Sequence, residues 1–131
     1  MALAIFDLDN TLISGDSDYL WVVFLGEQGI VDKKYYTREN ERFYEEYKQG
    51  KLDIFEFLEF SLKPLADHPL PALLSWRQEF IESKIRDIIP QASYDLIAGH
   101  RDKNDTLMII TATNAFVTRP IAELLGIEIL L

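Results

Sequence analysis

Apolar positions fall into short unbroken runs at the two ends of this chain and into helically spaced patterns between them. The run Leu3-Ala4-Ile5-Phe6 ends in Asp7 and reads as a buried strand over residues 3–7. The run Thr106-Leu107-Met108-Ile109-Ile110-Thr111 follows a turn-like Lys103-Asn104-Asp105 and reads as a second strand. After it, Ala115, Ile121, Ala122 and Leu125 recur at helical spacing. Asn114 is placed to cap that helix over about 115–125, and Gly126 to stop it. Pro120 inside the stretch predicts a helix start close to the proline. Residues 127–131 then begin a third strand, so the segment from 106 onward reads as a parallel strand–helix–strand unit.

Residues 8–105 separate the first two strands, far more than one crossover helix needs. Their pattern is helical. Residues 16–28 are apolar and aromatic, and 32–48 carry Tyr36, Phe43 and Tyr47 at helical spacing. Residues 53–62 carry Ile54, Phe55, Leu58 and Leu62, and 70–89 carry Leu73, Leu74, Phe80, Ile81 and Ile85. Pro64, Pro69 and Pro71 mark a break between the last two, and Pro90 restarts a helix over about 91–101. The first four helices form an inserted bundle and the fifth leads back to the sheet. Trp21, Phe24, Tyr36, Phe43, Tyr47, Phe57, Trp76 and Phe80 are expected to make the small core of the bundle.

The expected fold is therefore α/β: an incomplete Rossmann-like parallel sheet, residues 1–14 and 88–131, interrupted by a helical domain over 15–87. The apolar string Ile127-Glu128-Ile129-Leu130-Leu131 would leave a hydrophobic sheet edge exposed. That edge invites either more chain or a homodimer.

Composition narrows the function. A chain of 131 residues, 48% hydrophobic and 27% charged, suffices for a packed domain. A net charge of −9 argues against sequence-independent nucleic-acid binding, which runs on Lys and Arg. The absence of cysteine removes disulfides, thiolate metal sites and a thiol nucleophile. No apolar run is long enough to span a membrane. Strand-like sequence from Leu3 leaves no room for a signal peptide, so a cytoplasmic location without membrane partners is expected.

The candidate chemistry lies where the first strand ends. Asp7 and Asp9 are spaced i, i+2 and can approach one spot beyond the C-terminal edge, where open α/β sheets bind ligands. Two carboxylates so close call for a cation or a shared proton, which suits a hard metal and a phosphate. The plainer alternative is a strand entering an Asx turn. In the chemical reading, Asp7 attacks phosphorus while Asp9 gives a proton to the leaving oxygen and later takes one from water. Thr11 and the turn N–H groups hold phosphoryl oxygens. Thr111 ends the second strand and donates to phosphate beside Asp7. Ala112, Thr113 and Asn114 lead into a helix N-terminus that adds N–H donors. Mg²⁺ would neutralise the repulsion between Asp7 and phosphate.

The string Ile5-Phe6-Asp7-Leu8-Asp9-Asn10-Thr11 resembles the first motif of the haloacid dehalogenase (HAD) superfamily, and Met108-Ile109-Ile110-Thr111-Ala112-Thr113-Asn114 resembles its second. The helical insert after the first motif resembles the type-1 cap of the phosphoserine-phosphatase-like branch, which includes proteins called histidinol phosphatases. The resemblance implies a Mg²⁺-dependent phosphomonoester hydrolase acting on a small phosphorylated metabolite. It makes Asp7 the nucleophile and a metal ligand, and Asp9 the acid/base with its carbonyl on the metal. It makes Thr111 a phosphate ligand, and puts Asp16 near an acidic substrate-binding position. An acidic helix start is the plainer account of Asp16.

Two later motifs of that family, a lysine and an acidic pair, have no counterpart in this sequence. Lys33, Lys34, Lys48, Lys51, Lys63, Lys84 and Lys103 all precede the second motif. The chain thus resembles a capped phosphatase truncated after its second motif, with turnover expected to be impaired. The alternatives are an inactive fragment that binds phosphate or a protein partner, and a helical interaction domain in which the aspartate string is incidental. An EF-hand is excluded by Leu12 and Asp18 at the positions that need glycine and glutamate. His68 and His100 are isolated and read as surface or loop residues. Arg77, Arg86, Arg101 and Arg119 read as solvated helix faces with ion pairs, and residues 39–46 as a charged outer face.

Overall fold

The computed structural model describes every residue, Met1–Leu131. Three parallel strands, β1 (Leu3–Asp7), β2 (Thr106–Ile110) and β3 (Ile129–Leu130), pair in the order β1-β2-β3. Six helices accompany them: α1 (Ser17–Glu27), α2 (Lys33–Lys48), α3 (Ile54–Asp67), α4 (Leu70–Phe80), α5 (Gln91–Asp102) and α6 (Ala115–Leu125). This is the expected mostly helical α/β architecture with a small parallel sheet. The chain divides into two compact units, residues 1–18 with 79–131, and residues 19–78. No helix is long and apolar enough to cross a membrane.

In the sheet-bearing unit the register sets Ile5 beside Met108, Phe6 beside Ile109 and Asp7 beside Ile110. Paired residues of adjacent strands share a face. Phe6, Leu107 and Ile109 are buried on one side, where α5 packs on β2 and α6 on β3. Val117, Ile121, Ala122 and Leu125 give α6 its inner stripe. The β3 strand is shorter than expected. Only Ile129 and Leu130 pair with β2, with Thr111 N and Leu131 N adding hydrogen bonds at its end. Ile127 is buried, but neither it nor Glu128 joins the ladder.

The prolines behave differently from the sequence expectation. Helix α3 runs through Pro64 to Asp67, with Phe60, Ser61 and Pro64 buried along one stripe. A proline inside a helix costs one hydrogen bond, and here tertiary burial outweighs that local cost. Pro120 likewise lies within α6. The start of α6 is set instead by Asn114, whose side chain accepts from Val117 N at 3.1 Å. Gly126 ends α6 in the left-handed conformation that glycine favours, with φ 74°. The expected long helix over 70–89 is α4 followed by a wide turn, residues 81–85, and a tight turn, residues 86–88.

The helical unit has its own core. Val22, Tyr36, Phe43 and Phe60 form a buried cluster, with Val31, Leu52 and Phe57 packed against it. The Phe60 ring stacks on Tyr36 at 4.9 Å and meets Phe43 at 5.0 Å. Phe60, absent from the expected set, is thus central, whereas Tyr47 is exposed. Phe80 is buried but belongs to the sheet-bearing unit. Two helices begin at aspartate caps: Asp32 accepts from Tyr35 N, and Asp53 from Phe55 N and Glu56 N. The charged face of α2 is tied across to α3, because Arg42 pairs with Glu39, Glu46 and Glu56.

Candidate active site

The β1 strand stops at Asp7 because the chain then folds into a single wide turn, Leu8–Leu12. Asp7 caps the turn, its Oδ1 accepting from Leu8 N at 2.9 Å. Ile13 N closes the turn on Leu8 O at 3.2 Å. Asn10 supplies the left-handed residue the turn needs, with φ 56°, a conformation asparagine tolerates better than most. Leu8, Leu12 and Ile13 are buried and anchor the turn from below. The buried Ser93 of α5 donates to Leu12 O at 2.8 Å, and Ser14 N to Ile88 O at 2.8 Å. The loop is therefore held at both ends by the unit that carries it.

Asp7 is exposed and its Oδ2 lies 3.4 Å from the Thr11 hydroxyl. Asp9 is half-buried and held at both oxygens. Ser17 donates to its Oδ1 from the backbone N at 2.7 Å and from the hydroxyl at 2.6 Å. Thr113 donates to its Oδ2 at 2.8 Å, and the Thr111 hydroxyl sits 3.4 Å from the same oxygen. The Thr111 hydroxyl also accepts from Thr113 N at 3.1 Å. The end of β2 is thus joined to the turn after β1, as adjacency of the two strands allows. Ala112 is exposed between the two threonines, ahead of the α6 N-terminus.

Asp16 caps the start of α1, accepting from Asp18 N at 3.0 Å. Asp18 is the more unusual residue. Its Oδ1 is buried without a hydrogen-bond partner, and burial, then the charges of Asp16 and Asp9, push its carboxyl up to about 7. Asn114 Nδ2, at the foot of α6, is a second buried polar atom without a partner.

The sequence reading did not name Ser17, and it placed Thr113 in the turn before α6 without its contact to Asp9. The spacing rule that linked Asp7 with Asp9 also links Thr111 with Thr113, and was the available signal. Ser17 gave a weaker sign, a hydroxyl at the first position of an apolar helix.

The expected bystanders have structural partners. His100 is half-buried, pairs through Nδ1 with Asp105 at 2.8 Å, and sets its ring edge-on to Phe6. His100 is thus more than the surface residue expected from sequence. Asp105 also accepts from Ala2 N, and the hydrogen bond from His100 holds its carboxyl below the usual carboxylate range. His68 lies edge-on to Trp76. Arg86 pairs with Glu82, Arg101 donates to Gly126 O, and Arg119 donates to Glu128 O at 3.2 Å.

No three His, Cys, Asp or Glu side chains are gathered at a spacing that would hold a metal. Both oxygens of Asp9 are engaged, so the chain offers a hard cation one exposed carboxylate, Asp7, and main-chain carbonyls. That donor set is right in kind for Mg²⁺, which is commonly held by one or two carboxylates with phosphate and water.

Known proteins resemble this chain in sequence and fold. A Neisseria meningitidis protein named histidinol-phosphatase is 41% identical over 125 residues, which are 95% of this chain and 56% of the relative. A crystal structure of a Bordetella pertussis protein of unknown function superposes with a TM-score of 0.91 at 39% identity, covering 98% of this chain and 58% of that one. A phosphoserine phosphatase, solved as a phospho-aspartyl intermediate analogue, shares the fold with a TM-score of 0.67 at 18% identity, covering 98% and 54%. The chain thus spans a little over half the length of the proteins it matches. The sequence model of the family HAD, haloacid dehalogenase-like hydrolase, matches residues 4–131, and the chain belongs to that family.

Proposed function

We propose that this chain carries the nucleophile-bearing half of a phosphomonoester hydrolase active site. The observation that supports the reading most is the joining of the Asp9 carboxylate to Thr111 and Thr113 while Asp7 stays exposed beside it. In the reaction, an Asp7 oxygen attacks phosphorus and the bond from phosphorus to the leaving oxygen breaks. Asp9 gives that oxygen a proton. Water then attacks the aspartyl-phosphate, loses a proton to Asp9, and releases inorganic phosphate and free Asp7.

Thr11, Thr111 and the backbone at Ala112 bind phosphoryl oxygens. Ser17 and Thr113 orient Asp9. Asp7 and the Asp9 carbonyl would hold Mg²⁺, which when bound neutralises charge between carboxylate and phosphate. The helical insert, residues 15–87, acts as the cap that selects substrate, and Asp16 is a substrate contact. The name of the Neisseria relative points to a small phosphomonoester of the histidinol-phosphate type. A cytoplasmic location fits such a metabolite.

The lysine and the acidic pair expected of the complete family site are not among these 131 residues, so turnover by this chain alone is low. The test is hydrolysis of p-nitrophenyl phosphate, with and without Mg²⁺, by the chain and by Asp7→Asn. The reading expects slow, Mg²⁺-stimulated hydrolysis that Asp7→Asn removes. Equal rates in the two proteins would refute it.

A further inference from the structure

Asp18 is the one carboxylate around the turn after β1 that has neither a task in the proposed reaction nor a partner. Asp9 receives hydrogen bonds at both oxygens from Ser17 and Thr113. Asp16 caps α1 by accepting from Asp18 N at 3.0 Å, so the helix start does not need the Asp18 carboxylate as its cap. The Oδ1 of Asp18 is buried and accepts from nothing, while the residue as a whole is half-buried. Burial first, then the charges of Asp16 and Asp9, disfavour its ionised form, and no cation of the chain offsets them.

A buried carboxyl without a partner calls for a specific reason. Packing alone would be served better by an apolar residue, and the dipole of α1 by an exposed charge. The position of Asp18 beside the reacting residues supplies the reason. In the proposed reaction phosphorus stands at Asp7 and the leaving oxygen at Asp9. Ser17, the neighbour of Asp18 in the chain, holds Asp9 Oδ1 through its N at 2.7 Å and its hydroxyl at 2.6 Å. A leaving alcohol that extends away from phosphorus past Asp9 therefore runs toward the first turn of α1, where Asp18 is unpaired.

We infer that Asp18 pairs with a cationic group, an ammonium or an imidazolium, carried on the alcohol side of the substrate. The inference rests on the proposed hydrolysis and adds that the phosphomonoester bears both charges. The chain brings no cation to Asp18, and the ligand supplies one. A charge-assisted contact then takes the place of the hydration lost on burial. A neutral alcohol of the same shape leaves the carboxyl as it was, so Asp18 determines specificity.

The test compares two phosphates of matched size, O-phosphoethanolamine, which ends in an ammonium, and propyl phosphate, which ends in a methyl. Their binding to the full 131-residue chain and to Asp18→Asn is followed by amide NMR shifts in the presence of Mg²⁺. The chain should bind O-phosphoethanolamine at least about tenfold more tightly than propyl phosphate, with the shifts centred on the first turn of α1. Asp18→Asn should remove that preference. Asparagine keeps the shape of the side chain, and deleting an unpaired buried charge does not endanger the fold.

A preference absent from the unaltered chain, or one that survives Asp18→Asn, would overturn the inference and leave the proposed reaction standing. A preference lost in Asp16→Asn but kept in Asp18→Asn would assign the cation to Asp16 and overturn it equally. Binding of neither phosphate would refute the proposed reaction, and this inference with it.

Discussion

The two units of this chain are held together by different physics. The helical unit rests on a cluster of rings, Tyr36, Phe43 and Phe60, with ion pairs on its outside. The sheet-bearing unit also has an apolar core, but its active-site corner is fixed by short polar contacts: Ser17 and Thr113 on Asp9, and Ser93 on Leu12 O. Packing of rings sets stability but has no donor or acceptor to aim. A hydrogen-bonded carboxylate has a defined orientation but gives little net stability per contact. The helical unit should therefore respond to substitution in stability, and the corner in chemistry.

The largest stability effect should come from the ring cluster. Phe43→Ala or Phe60→Ala should cost about 3–5 kcal/mol and accelerate amide exchange in residues 19–78, measured by denaturant unfolding and exchange mass spectrometry. A loss below about 1 kcal/mol would place the core of that unit elsewhere.

Asp18 should give the next effect, and it is pH-dependent. Its folded-state carboxyl is raised to about 7, whereas the unfolded chain ionises near the ordinary carboxylate value. Below that ordinary value both states are protonated and Asp18 costs nothing. As pH rises toward 7 the unfolded state ionises first, so stability falls, and above 7 the full cost remains. Asp18→Asn should flatten this slope and add about 2 kcal/mol at pH 8, read by thermal unfolding across pH. An unchanged slope would show that another group governs it.

Thr113→Val should sharpen the contrast. It removes one hydrogen bond worth about 1 kcal/mol in stability. The same change should lower kcat at least about tenfold by freeing Asp9. A stability loss with unchanged kcat would make Thr113 purely structural. The smallest effect belongs to Arg42→Ala, which breaks three ion pairs at the surface and should cost at most about 1 kcal/mol, less in high salt.

Much of the fold was legible from local pattern. The β1 run ends at Asp7 as read, Asn114 caps α6, and Gly126 ends it. These features depend on residues close in sequence. The errors came from long-range terms. Pro64 and Pro120 were read as breaks or starts, but burial along α3 and a cap set at Asn114 decide those helices. The β3 strand is short because only Ile129 and Leu130 find partners on β2.

At the site, the Asp7 and Asp9 spacing was visible, and so was the turn at Ala112. The Ser17 and Thr113 contacts to Asp9 span 8 and 104 positions, and only the folded chain brings them together. The unpartnered Asp18 oxygen was equally invisible, since an aspartate early in a helix looks like an ordinary charge for the helix dipole.

The central claim is that Asp7 is the nucleophile. The direct measurement is peptide mass spectrometry of the chain, acid-quenched during incubation with Mg²⁺ and a small phosphomonoester. The account predicts a phosphoryl adduct on the peptide containing Asp7, absent from Asp7→Asn and formed more slowly in Asp9→Asn, where the leaving oxygen lacks its proton donor. An adduct on any other residue, or one that survives Asp7→Asn, would contradict it.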